Sequence, residues 1–346
     1  MSESRYERLR DVLGQQPEGS ILVLTHQSPD PDALGALVGV RTLLRDAVGR
    51  EAVIATRGRI QRAENVAMAR ELGLYFADQE TVDLDGYAGC VLVDSQPGFG
   101  HTHVPDELPL LAVIDHHEKH AKAAPSGAPF EDIRPDVGAT SSLVYEYVRD
   151  AGLELDEHTA TSLFCGVRFD TADLAHDVTA LDEEAYYATL RNADKAQLAR
   201  IKNPPLPADY YRELGRALRR AKRHGSLVLA LLGPIPNPES VAEMADFFLR
   251  MENCHWSLVG GAVGETFYVS LRTAHRSAYP LLERVLRGEG SFGGHGRIAG
   301  GQVQLDPEEL HRSRILLERR IRARALHLLE SVDGSPASEQ DGTPVA

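Results

Sequence analysis

Cysteine is scarce: the 346-residue chain has three, Cys90, Cys165 and Cys254, far apart and with no CxxC pair. That excludes a disulfide framework and a thiolate zinc site, and fits a reducing cytoplasmic compartment. No uninterrupted apolar run approaches the ~18 residues that cross a bilayer, and the opening MSESRYERLRDVLGQ lacks the apolar centre of a signal peptide. Positive charge is also in deficit, with 37 Lys plus Arg against 51 Asp plus Glu and a formal net charge of −14. This balance speaks against coating long nucleic acid through a broadly basic surface, so a nucleic-acid substrate would be short or held by a local basic patch. The absences together leave a soluble intracellular protein with no membrane partner as the expectation.

What the chain does contain is an ordinary globular composition, 42% hydrophobic and 25% charged residues. Its length suits about two domains at roughly 150 residues each. Residues 6–13 read as a short amphipathic helix and 21–25 (ILVLT) as a buried strand. A helix at 33–44, a strand at 52–56, a helix at 64–72 and strands at 89–93 and 110–114 follow, then helices at 139–151 and 157–166. Short apolar runs alternating with helical periodicity predict a parallel sheet with helices on both faces. Beyond Asp182 the chain turns helical and charged as far as Arg223, broken by the turn-forming stretch 203–207. A second α/β pattern starts at Ser226. The expected organisation is an N-terminal α/β domain over 1–190, a helical linker over 191–225, a smaller α/β domain over 226–331 and a disordered tail over 332–346.

Chemistry-bearing side chains cluster where this architecture places ligands, beyond the carboxyl ends of strands. His26, Asp30 and Asp32 form an HxxxDxD pattern directly after ILVLT, with Pro29 and Pro31 restricting the backbone. Asp94 follows VLV, Asp115-His116-His117 follow LLAVI, and Asp170 stands in GVRFDTAD after a predicted helix. Each piece alone has a plain structural explanation, Asp94 as a turn residue and Asp30 or Asp32 as a helix cap. Taken together, that much uncompensated negative charge beside buried strands would be costly unless cations neutralise it.

The set THQSPDPDALGA, VLVDSQP, VIDHH and GVRFDT resembles the four motifs of the DHH phosphoesterase superfamily. YVSLRTAH followed by GSFGGHGRIAGG resembles the DHH-associated C-terminal domain, so the likeness runs from about residue 20 to about residue 305. The resemblance implies that His26 and Asp30 bind one metal, that Asp32, His116 and Asp170 bind a second, and that Asp94 bridges both. It also implies an active site in the cleft between the domains, with His117 as a catalytic histidine beside Asp94. Asp115 is then a residue that orients an imidazole. Four carboxylates and two imidazoles make a hard, mainly oxygen site, which suits two Mn²⁺ ions, with Mg²⁺ as the alternative, better than structural zinc.

The stretch 290–301 sets six glycines around His295 and Arg297. Glycine lets backbone amides approach an anion, so Gly293, Gly294, His295 and Arg297 are candidates to hold a phosphate, the alternative being a surface loop. Arg272 in VSLRT matches the family's substrate-facing arginine. Phe292 is either a base-stacking ring or part of a core, and Arg168 either faces phosphate or pairs with a neighbouring acid. The family likeness implies hydrolysis of short RNA or DNA oligonucleotides or linear dinucleotides to mononucleotides, as in the nanoRNase branch, with 3′-phosphoadenosine 5′-phosphate as a further substrate. The alternatives are a phosphatase or phosphodiesterase for another small metabolite, a cyclic dinucleotide or polyphosphate, and a catalytically silent nucleotide sensor. A homodimer is compatible with the sequence.

Overall fold

The apolar runs of the first half become the middle strands of one parallel sheet. The computed structural model describes residues 4–58, 60–118, 125–176, 178–274, 277–333 and 342–345. The chain divides into two compact units, residues 1–204 and 205–346. In the first, α1 (Arg5–Gly14) precedes β1 (Ser20–Leu24), α2 (Pro31–Leu43), β2 (Ala52–Thr56), α3 (Ala63–Glu71) and β3 (Ala77–Asp78). Then come β4 (Tyr87–Val93), β5 (Leu110–Asp115), β6 (Phe130–Ile133), α4 (Thr140–Asp150), α5 (Glu157–Asp170), α6 (Ala180–Asn192) and α7 (Lys195–Lys202). Among the described residues the sheet has six strands in the order β3-β2-β1-β4-β5-β6. Every pairing is parallel. Strand order reverses between β1 and β4, and crevices at such a reversal are where open α/β sheets bind ligands.

Residues Ile21 to Leu24 and Cys90 to Val93 are fully buried, as expected of strands covered on both faces. Asp30 starts α2 as its N-cap, its Oδ1 accepting from the amides of Asp32 and Ala33 at 3.0 Å each, with Pro31 at the first helical position. Nearly all of α2 is buried, because glycines let its neighbours come close. A Cβ on Gly39 would lie 2.9 Å from Leu163 Cδ2 on α5, and one on Gly35 would lie 2.6 Å from Ser141 Oγ on α4. The start of α2, the start of α4 and the end of α5 are thereby drawn to one place.

The second unit comprises α8 (Ala208–Arg220), β7 (Lys222–His224), β8 (Leu227–Pro234), α9 (Glu239–Leu249), β9 (Trp256–Val263) and β10 (Thr266–Thr273). It continues with α10 (Tyr279–Leu286), β11 (Ser291–His295), β12 (Ile298–Gln304), α11 (Leu310–Asp333) and β13 (Thr343–Pro344). Its sheet is mixed, in the order β11-β12-β10-β9-β8-β7-β13, with β8 and β9 parallel. Alternate residues of β8 serve two cores: Leu227, Leu229 and Leu231 join α10 and α11, while Val228, Ala230 and Leu232 join α8 and α9.

Three features differ from the sequence expectation. The stretch 191–225 is divided between the units: Ile201 of α7 belongs to the first core and Ala217 of α8 to the second, and the division falls after Pro204. Helical periodicity is the same whichever core a helix joins, so the charged surface of these helices concealed their partners. Of the tail expected to be disordered, 334–341 and 346 lie outside the described residues, but Thr343 and Pro344 pair with Arg223 and Lys222 and Val345 packs on the second core. Asp170, expected just past a helix, is the last residue of α5. Among the described residues no helix is long and apolar enough to cross a membrane.

Candidate metal centre

The groups arrive from five elements, β1, α2, β4, β5 and α5. His26 leaves β1, Asp30 caps α2, Asp32 lies in its first turn, Asp94 follows β4, Asp115 ends β5 with His116 and His117 after it, and Asp170 ends α5. Two sets have their ligand atoms within 4.8 Å of one another: His26, Asp30 and Asp94 in one, and Asp32, His116 and Asp170 in the other. Asp94 also falls in such a set with His116 and His117. His26 Nε2 is 3.7 Å from Asp94 Oδ2, and His116 Nε2 is 3.8 Å from Asp94 Oδ1, 3.9 Å from Asp32 Oδ2 and 3.1 Å from Asp170 Oδ2. The structure thus brings together all six side chains singled out as ligands.

The protein backbone holds these groups in place. Asp32 is fully buried, and its two oxygens accept from the amides of Thr140 at 2.6 Å and Ser141 at 2.8 Å, the first turn of α4. Thr140 Oγ1 donates to Asp94 Oδ1 at 2.8 Å. Asp94 itself sits at φ +53°, a left-handed conformation that costs a non-glycine residue about 1–3 kcal/mol and tends to persist at functional positions. His116 Nδ1 lies 3.2 Å from Val137 O, which turns Nε2 toward the carboxylates. That Nε2 is buried, and although Asp170 Oδ2 stands 3.1 Å away, it makes no well-aligned hydrogen bond among the described residues. His117 Nδ1 donates to Asp115 Oδ1 at 2.8 Å, and Gln96 Nε2 donates to Asp115 Oδ2 at 2.7 Å and to His117 O at 2.9 Å.

Crowding shows in the proton affinities. Burial and the neighbouring Asp170 and Asp94 push Asp30 up to about 7, and burial beside Asp94 and Asp170 pushes Asp32 well above the usual carboxylate range. Burial would also raise Asp94, but its contacts with His26, His117 and His116 outweigh that and hold it at about 2. Burial lowers His117, yet the hydrogen bond to Asp115 and the charge of Asp94 carry it up to about 9. A divalent cation in either set would replace the protons these groups otherwise keep. The residues present fit that role on two grounds: an oxygen-rich donor set, and an orphaned imidazole nitrogen aimed into it.

Residues 20–167 match the DHH family, N-terminal domain. The first unit is a DHH-family domain. An uncharacterized protein of Methanocaldococcus jannaschii is 31% identical over 324 residues, 91% of this chain and 65% of its own length. A probable manganese-dependent inorganic pyrophosphatase of Deinococcus radiodurans is 29% identical over 171 residues, 49% of this chain and 52% of its own. The chain therefore spans less than two thirds of these curated relatives. The crystal structure of an exopolyphosphatase-related protein from Bacteroides fragilis superposes with a TM-score of 0.71 at 16% identity, covering 93% of this chain and 98% of that one, and so has the same fold.

The DHH match contains His26, Asp30, Asp32, Asp94 and His116, with Asp170 just beyond it. Reading the sequence overlooked Gln96, Thr140 and Ser141. Gln96 lies two residues past Asp94, and the other two open a helix whose N-terminus could have been suspected of facing an anion. It also overlooked His101, whose ring meets that of His26 edge-on at 5.4 Å. Arg168 takes the plainer of its two readings and pairs with Glu64 at 2.6 Å. In the second unit Arg272 is buried at the end of β10, with Nε donating to Asp246 Oδ1 at 2.6 Å and Nη1 to Ser270 Oγ at 2.7 Å. The glycine-rich stretch is not a loop but a β11–β12 hairpin, in which Gly293 pairs with Gly300 and Gly294 with Ala299. Arg297 lies in its turn, its carbonyl accepting from the Thr273 amide at 3.0 Å, so the hairpin tip adjoins the strand end that bears Arg272. The side chain of His295 lies outside what the structure describes. Phe292 packs against the core formed with α10 and α11, its ring 5.9 Å from that of Tyr279.

Proposed function

We propose that the first unit is the catalytic centre of a phosphoesterase that takes two divalent cations, Mn²⁺ in preference to Mg²⁺. The observation that carries this reading is the pair of ligand sets meeting around Asp94, with the buried Nε2 of His116 aimed at Asp170, Asp32 and Asp94. The manganese dependence in the name of the Deinococcus relative supports the choice of ion. His26, Asp30 and Asp94 would hold one ion and Asp32, His116, Asp170 and Asp94 the other. Bound cations supply charge neutralisation on phosphoryl oxygens and a water of lowered pKa. The chain's own part is to fix the geometry and to move a proton. His117, kept protonated by Asp115 and Asp94, donates through its Nε2 to a phosphoryl or leaving-group oxygen, and Gln96 holds Asp115 in the orientation this requires.

For substrate we favour linear dinucleotides and short oligonucleotides released as mononucleotides, with 3′-phosphoadenosine 5′-phosphate as a further candidate. Arg272, Gly293, Gly294, His295 and Arg297 are proposed as the anion-binding group of the second unit. A second reading, hydrolysis of pyrophosphate or polyphosphate, draws support from the names of the pyrophosphatase and exopolyphosphatase-related relatives. The test loads metal-stripped protein with Mn²⁺ and compares mononucleotide release from RNA and DNA dinucleotides with phosphate release from pyrophosphate and polyphosphate. Dinucleotide turnover that vanishes on chelation is the expected result. Turnover of the inorganic substrates alone would select the second reading, and no metal-dependent turnover of any of them would refute the hydrolase.

A further inference from the structure

A cavity of about 460 Å³ lies beside the metal centre, at the carboxyl ends of β2 and β3. It shares a wall with the site: Gln27, which lines it, follows His26, and Thr56 at the end of β2 donates through Oγ1 to His26 O at 3.4 Å. The other described lining residues are Phe76, half-buried and packed on the first core, Gly58, Ala77, Arg57, Asp78 and Glu80. Gly58 has φ +103°, and a Cβ there would come within 3.0 Å of Gln27 O, so this wall is bare main chain.

The lining discriminates between ligand chemistries. Among the described residues its one guanidinium is engaged, Arg57 Nε lying 2.7 Å from Glu80 Oε1, and the lining has a second carboxylate, Asp78. Among the described residues, phosphate entering here would meet two carboxylates and no uncommitted cation, which disfavours it. A planar aromatic group meets what it needs: an aromatic residue, Phe76, in the lining, an exposed Gln27 amide that both donates and accepts, and carboxylate acceptors for amino or imino hydrogens. The volume lies within the range of small-molecule pockets.

We propose that this cavity is a nucleobase subsite, which receives the base of a nucleotide whose phosphate lies at the metal centre. The inference rests on the phosphoesterase reading and narrows its substrate to one that bears a base. Inorganic polyphosphate has nothing to place there.

The experiment uses the full chain loaded with Mn²⁺ and measures by calorimetry the binding of adenosine 5′-monophosphate and of ribose 5-phosphate, which lacks the base. The wild-type protein should bind the nucleotide more tightly. Phe76→Leu, which keeps an apolar side chain on the core, should reduce that advantage by roughly 5- to 150-fold while leaving ribose 5-phosphate unchanged. Gln27→Ala, at an exposed position, should alter the ranking of adenine, guanine, cytosine and uracil nucleotides. Equal wild-type affinity for the two ligands, equal loss of both in Phe76→Leu, or a nucleotide advantage insensitive to both substitutions would overturn the subsite. Base-dependent binding lost in Phe76→Leu, in a protein that hydrolyses no phosphate ester, would uphold the subsite and sink the hydrolase reading alone.

Discussion

Replacing Asp115 by Asn removes one charge from a fully buried side chain while keeping its shape. Its Oδ1 accepts from the His116 amide at 2.9 Å and His117 Nδ1 at 2.8 Å, and its Oδ2 from Gln96 Nε2 at 2.7 Å. Three donors converge on it, and only a carboxylate accepts on both oxygens. Asn must turn its NH₂ either on Gln96 or on the two histidines. Burial pulls the His117 imidazolium down, but the Asp115 hydrogen bond and the Asp94 charge carry it to about 9. A hydrogen bond to a charged group contributes about 1.5–3 kcal/mol, so losing it should lower that value by roughly 1–2 pH units. The imidazole ring resonances of His117, followed by NMR in metal-free protein, should therefore titrate at roughly 7–8 in the variant. If protonated His117 is the proton donor, the alkaline limb of kcat/KM with Mn²⁺ should move down by the same roughly 1–2 units, since activity falls as the donor loses its proton. A uniform loss of activity with the limb in its original place, or a ring still titrating near 9, would refute the role given to Asp115.

Metal removal should make the fold pH-sensitive in one direction. Asp30 and Asp32 are raised as acids, and His26, His116 and His117 are raised as bases. The native state then binds more protons than the unfolded chain, so these groups favour folding at low pH and lose that contribution as pH rises through about 7 for Asp30 and about 9 for His117. Metal-free protein should accordingly melt lower at pH 9 than at pH 6, and saturating Mn²⁺ should reverse the trend; an opposite slope would contradict the crowding. Because ions displace protons from the same groups, Mn²⁺ uptake at pH 6 should release protons and be weaker than at pH 8, which calorimetry in buffers of different ionisation enthalpy reads directly. Gly166→Ala, at a residue that binds nothing, should destabilise the protein by about 1–3 kcal/mol and weaken Mn²⁺ binding. The new Cβ would lie 2.8 Å from Ser141 Cβ and 2.9 Å from Asp32 Oδ1. Asp94→Asn, which suits the left-handed backbone there, should leave the circular dichroism spectrum intact and lower metal-dependent turnover by about 100-fold or more.

The cluster was legible in sequence because several of its side chains directly follow apolar runs. ILVLT, GCVLV and LLAVI leave little doubt about where strands stop, and His26, Asp94 and Asp115-His116-His117 follow immediately. The supports were harder to see. Thr140 and Ser141 act through backbone amides, which every residue has, and Gly35, Gly39 and Gly166 act by having no side chain. Neither property leaves a mark in the periodicity of α2, α4 or α5. Edge strands were missed for a related reason: β3 has two residues and β6 alternates buried with half-buried positions, so neither presents a continuous apolar run. The β11–β12 hairpin was concealed by its glycines, which propensity assigns to loops although cross-strand pairing holds them in a sheet.

The two kinds of support explain why the fold tolerates its own centre. Four carboxylates within one buried cluster oppose folding, and the chain offsets them locally: α4 donates two amides to Asp32, α2 donates two to Asp30, and three imidazoles surround Asp94. The offset is partial, since Asp30 and Asp32 remain raised and His116 Nε2 remains without a well-aligned hydrogen bond among the described residues. A fully satisfied cluster would bind cations weakly, because every new metal bond would replace an existing hydrogen bond of similar worth. Leaving Asp30, Asp32 and His116 incompletely satisfied keeps them available to a cation at a cost in metal-free stability. Substitutions that stabilise the metal-free protein by neutralising one of these groups should therefore weaken the metal-bound state, and a variant that gained in both would show that the crowding has no part in binding.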